Sequence, residues 1–102
     1  MAQVVQGTFA TGPTSSVGNV SDSLLIHSSI TTMRLTLVGL DGSNTVKTQK
    51  RTSPGGSFVD QTTYNSAQTF VAVTVAAGEE WRVFQVTQQV QRDVQYKMSL
   101  ES

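Results

Sequence analysis

His27 is the single histidine of a 102-residue chain that contains no cysteine. A metal centre built on it would need carboxylate partners gathered round it by the fold, and only Asp22 lies near it in sequence. His27 therefore reads as a strand residue facing solvent or a neighbour, and no metal ligand is assigned. The absence of cysteine removes disulfides and thiolate nucleophiles. Serines are abundant, but none sits in the Gly-x-Ser-x-Gly elbow that lifts a hydroxyl above a sheet. Glu79-Glu80 is the only pair of adjacent carboxylates. It falls at an expected turn tip, where both groups would be wet and keep ordinary acidity, whereas acid–base work needs environments that push the two apart. No glycine-rich phosphate loop carries a lysine, and Gly55-Gly56 follows Pro54 as a turn would. The sequence thus assigns no catalytic residue and no cofactor site, and the expectation is a protein that is not an enzyme.

Lys47, Lys50 and Arg51 form the one basic cluster. A nucleic-acid surface would interleave such residues with aromatics for base stacking. The nearest aromatic, Phe58, lies beyond Ser53-Pro54-Gly55-Gly56, so the cluster reads as the charged face of an exposed edge strand. Net charge is zero, which gives no general attraction to nucleic acid or to an anionic membrane. Most aromatics stand in apolar rows and are expected in the core. Tyr64 differs: flanked by Thr63 and Asn65, it could anchor a contact.

The elements that must position these residues read as β-strands. Val94, Tyr96, Met98 and Leu100 alternate with polar residues, which gives one apolar and one wet face. Val71, Val73 and Val75 form a similar row. Gln68–Ala77, Glu80–Val90 and Asp93–Leu100 are expected as a three-strand meander, with Gly78 at the first reversal. Within it Trp81 and Val83 share one face and Phe84, Val86 and Val90 the other, which a bulge near Val83–Phe84 would reconcile. Upstream, Thr31–Leu40 is a strong strand with Met33, Leu35 and Leu37 on one face. Asp41-Gly42 is a hairpin signal, and Asn44–Lys50 would return beside it as an edge. Leu24, Leu25 and Ile26 suggest a buried strand, and a short strand is expected around Phe58 and Val59, followed by a polar loop over Asp60–Ala67. Ala2–Ala10 alternates weakly, as a first strand or an extended arm. The fold class expected is all-β, an antiparallel β-sandwich or jelly roll of about eight short strands. Residues 1–12 would be an N-terminal strand or arm and 13–102 a single domain.

Only 14% of residues are charged, against about a quarter in ordinary soluble domains. Ser, Thr and Gln replace them, and such a surface suits one covered by neighbours. No run approaches the roughly 18 apolar residues of a membrane span. The N-terminus lacks a basic region followed by an apolar block, so no secretory signal is expected, and the Met1 start fits an unprocessed chain. The sequon Asn19-Val20-Ser21 then reads as chance.

The short cysteine-free chain, its Ser/Thr/Gln-rich strands, the extended segment Ala2–Gly12 and the run Val73-Thr74-Val75-Ala76-Ala77-Gly78-Glu79-Glu80-Trp81-Arg82-Val83 together resemble small virion proteins of tailed phages, of the head decoration or cement type. The resemblance implies a β-sandwich or jelly roll, homo-oligomeric with a trimer favoured. It would bind a major capsid protein or another virion protein and reinforce the lattice, after assembly in the host cytoplasm. Tail- and fibre-associated virion domains share the same features. Contact residues are expected at Val4, Val5 and Phe9 on the N-terminal segment, at Tyr64, and at Gln85, Gln89 and Gln91 on an uncharged polar face that includes Gln88 and Gln95. The alternative class is a carbohydrate- or peptide-binding sandwich module, for which Trp81 and Tyr64 would stand exposed on one face.

Overall fold

A computed structural model describes residues 4–9, 19–40, 44–53, 55–88 and 93–101. Every regular element in it is a strand: β1 (Val4–Phe9), β2 (Leu24–Leu25), β3 (Thr32–Val38), β4 (Asn44–Arg51), β5 (Val59–Tyr64), β6 (Gln68–Thr74), β7 (Glu80–Gln88) and β8 (Val94–Glu101). They form two four-stranded antiparallel sheets, a first ordered β1-β8-β3-β6 and a second ordered β2-β7-β4-β5. The pairs 1–8, 2–7, 3–6 and 4–5 are those made when one long hairpin is rolled up, which is the jelly-roll form of the sandwich.

Period-two patterning is what places the core. On the first sheet Val5, Met98, Leu35 and Val71 form one cross-strand row through all four strands. Met33, Leu35, Leu37, Val94 and Met98 are fully buried, and Leu24, Val46, Trp81 and Val83 meet them from the second sheet. Gly7 sits opposite Tyr96, whose ring lies across it and against Phe9 at 4.8 Å. A Cβ at Gly7 would fall 2.6 Å from the Tyr96 hydroxyl oxygen, so the glycine is the space the ring occupies.

The strands were legible, but several of their partnerships were not. β6, β7 and β8 do not pair with one another: they alternate between sheets, so the expected meander is absent. β3 and β4 also lie in different sheets, so the Asp41-Gly42 signal does not close a hairpin, and residues 41–43 themselves lie outside the described residues. β4 is interior, between β7 and β5, and buries Asn44, Val46, Thr48 and Gln49 where an edge strand was expected. The edges of that sheet are β2 and β5, and β5 takes in Asp60–Tyr64 from the expected loop. Trp81, Val83 and Gln85 keep one face without interruption. The irregularity in β7 lies further on, where Thr45 faces Thr87 and Val46 faces Gln85, leaving Val86 as the extra residue. Val4–Phe9 is a strand of the body, paired throughout with β8, rather than a detached arm.

Candidate functional site

Most of the described charged side chains are held in two networks on the second sheet. On its outer face, cross-strand neighbours bond directly. Arg51 makes a two-pronged ion pair with Glu80, at 3.2 Å in both contacts. The next row joins three strands: Arg82 donates to Gln49 at 2.8 Å, and Gln49 donates to Asp60 at 2.8 Å. Lys47, one row on, reaches Asp60 at 2.8 Å and lies over the Phe84 ring at 4.9 Å. The Lys47 ammonium, and after it the Gln49 amide, hold the Asp60 carboxyl below its ordinary range. Arg82 and Arg51 both stand over Phe58, 3.9 and 4.8 Å from the ring centre. The basic cluster expected on an exposed edge is thus paired with carboxylates of the same chain, and Phe58 stacks with its Arg51 and with Arg82.

The second network faces inward. Glu79 is 8% exposed. Its Oε1 accepts from the Ala76 amide at 2.8 Å and from the Trp81 indole at 3.0 Å, while its Oε2 accepts from Lys50 Nζ at 2.9 Å. Burial works against ionisation, but Lys50, Ala76 and Trp81 outweigh it and hold the carboxyl below its ordinary range. The turn beneath is pinned to the residue that follows β2, with the Gly78 amide donating to Ile26 O at 2.9 Å and the Ile26 amide donating to Glu79 O at 2.8 Å. Gly78 adopts a φ of 89°, as its place in a reversal requires. Sequence reasoning placed Glu79 in water. The signal that could have corrected it was the alternation itself, which puts residue 79 on the face of Trp81. Glu79 and Glu80 point to opposite faces, each matched to its own cation, so they do not act on a common substrate. Among the described residues no group of three His, Cys, Asp or Glu side chains gathers to hold a metal ion. No helix among them is long and apolar enough to cross a membrane.

The expected contact residues divide. Val5 and Phe9 are core residues, and Gln85 is fully buried, accepting from Asn19 Nδ2 at 2.9 Å through its side-chain oxygen. These three present almost no surface to a partner. Gln85 is turned inward on the second sheet and Gln95 stands exposed on the first, so they share no face. Gln89 and Gln91 lie outside the described residues. Val4 is exposed, and Tyr64 is half-buried against the core, which pushes its hydroxyl to higher pKa. Trp81 is buried, so Trp81 and Tyr64 do not form an exposed aromatic platform.

The surface that sequence reasoning missed is the flank where β5 and β6 end their sheets. Val59–Thr63 are exposed on both strand faces. Val71 and Val73 point inward but are only half-covered. Phe70 is 56% exposed at a φ of 51°, a conformation costly for a bulky side chain. It occupies a register shift between β3 and β6 and is held there from three sides: its amide donates to Thr36 Oγ1 at 3.2 Å, its carbonyl accepts from Arg34 at 3.2 Å, and the Arg34 guanidinium covers its ring at 5.2 Å. Arg34 is itself fixed by a two-pronged pair with Glu101. The strained backbone thus holds an aromatic ring outward on this flank.

No protein-family model, no curated protein and no solved structure matches this chain. The class that the fold defines is therefore architectural: an all-β sandwich with jelly-roll winding, of eight strands among the described residues.

Proposed function

We propose that this chain is a non-enzymatic structural protein of a virion, which forms a homo-oligomer, a trimer in the favoured form, and reinforces a capsid or other virion lattice by contact. The observation that carries the proposal is the β5–β6 flank, where exposed Val59, half-covered Val71 and Val73, and strained Phe70 leave apolar surface open along two sheet edges. Jelly-roll winding supports it, since this architecture recurs in capsid proteins, although it also serves lectins and cupins. The internal pairing of cations on the second sheet supports it too: a unit whose charges satisfy one another is stiff and presents a fixed shape. Several modest contacts of this kind, repeated on one scaffold, bind firmly in sum.

Amide hydrogen exchange tests the proposal directly. Raising protein concentration should slow exchange in β5 and β6 while leaving β1 and the β1–β8 ladder unchanged. Exchange in β5 and β6 that is independent of concentration would count against a contact there.

A further inference from the structure

The outer face of the first sheet carries two adjacent cross-strand rows. Gln6, Lys97 and Thr36 stand side by side in one, and Thr8, Gln95 and Val38 in the next. Together they line a shallow concavity of about 510 Å³ over β1, β8 and β3. Neighbours in a row are about 5 Å apart and the rows about 7 Å, so the grid spans roughly one to two sugar rings.

Its chemistry is one-sided. Among the described residues no Asp or Glu lines it, and Lys97 is the one described cation without an ion pair, side-chain hydrogen bond or ring contact. Thr36 Oγ1 already accepts the Phe70 amide, which leaves its own proton to donate elsewhere. The Gln6 and Gln95 side chains are exposed and offer both donors and acceptors. β8 is an interior strand, paired on both sides, so its backbone groups serve the sheet and recognition falls to side chains. An added peptide strand could pair only along the free edge of β1, at the margin of the concavity, and would leave the β8 and β3 side chains unused. Tyr96 turns its ring to the core side, so no aromatic plane is available for stacking a neutral sugar.

The geometry points to a binding site for a carboxylate-bearing saccharide, a uronate or sialate residue. Lys97 takes the carboxylate, Gln6, Gln95 and Thr36 take hydroxyl and ring substituents, and Val38 gives an apolar patch beside them. The site does not depend on the assembly proposed above: a monomer that binds such a sugar would remove that proposal and leave this one standing.

The test is a titration of ¹⁵N-labelled full-length protein with methyl β-glucuronide and with N-acetylneuraminic acid, using methyl β-glucoside and acetate as controls. We expect saturable shifts at Gln6, Thr36, Gln95 and Lys97 with a Kd on the order of 1 mM for at least one acid. Lys97→Met, which keeps the aliphatic stem, should weaken binding at least about tenfold with the rest of the spectrum unchanged. Any of four results would overturn the inference: no saturation by about 20 mM, equal binding of the neutral glucoside, equal binding of acetate alone, or unchanged affinity in Lys97→Met.

Discussion

Glu79 offers the sharpest test of the structure, because its two oxygens have separate duties. Oε1 serves the Ala76 amide and the Trp81 indole, while Oε2 serves Lys50. Glu79→Gln can keep the first oxygen while replacing the second, the charged acceptor of Lys50, with an amide NH2. That ammonium's side chain is 31% exposed, so the partly solvated pair is worth about 1 kcal/mol. Glu79→Ala removes all three contacts. Each neutral N–H bond contributes about 1 kcal/mol net, which brings the loss to about 3 kcal/mol. For a domain of this size that lowers Tm by roughly 12 to 24 °C. The pH dependence has a definite direction. The folded carboxyl titrates below its ordinary value of 4.5, so its stabilising effect is complete above about pH 4.5 and is lost as pH falls through the lower folded value. The stability gap between wild type and Glu79→Gln should therefore be constant from neutral pH down to about 4.5 and close below it. Urea unfolding followed by far-ultraviolet circular dichroism, with Trp81 fluorescence as a second probe, measures all of this. Glu79→Ala within about 0.5 kcal/mol of wild type would refute the buried network, and a Gln variant as costly as the Ala variant would refute the division of labour between the oxygens.

Other substitutions separate core roles from contact roles. Gln85→Met should raise stability by up to about 1 kcal/mol, because it removes an amide nitrogen that is buried with no hydrogen-bond partner among the described residues, while the exposed Asn19 that loses its acceptor can turn to water; a loss in chemical denaturation would show that the amide is satisfied. Gly7→Val should cost about 1–3 kcal/mol by displacing the Tyr96 ring, and a neutral result in thermal unfolding would show that the ring can move aside. Phe70→Gly should leave monomer stability unchanged or raise it by up to about 1 kcal/mol, since it relieves the strained backbone, while light scattering reports loss of self-association; retained association would remove Phe70 from the contact.

The faces of the strands were readable and their partners were not, for a physical reason. Alternation is a local property: Met33, Leu35 and Leu37 announce a buried face whatever lies beside them. Pairing is a long-range property, and in a rolled hairpin the residues furthest apart in sequence meet, as Val4 does with Ser99. A strong local turn signal such as Asp41-Gly42 then misleads, because the chain crosses to the other sheet instead of returning. Composition misled for β4 as well: its lysines look like edge protection, yet they are matched by Asp60 and Glu79 from neighbouring segments. Glu79 and Gln85 were both readable by the period of two, which sets them on the face of Trp81 and Val83. Polarity argued for solvent, and position overrode it. Phe70 had no such signal, because a left-handed residue within a strand is fixed by the register of β6 on β3 and leaves no mark in the sequence.

Sedimentation equilibrium of the full-length protein, run across a wide concentration range, bears most directly on whether this molecule works as a self-associating tile. The account predicts a mass that rises with concentration from 11.0 kDa toward a closed multiple, with three copies favoured. A mass that stays at 11.0 kDa at every concentration would contradict it.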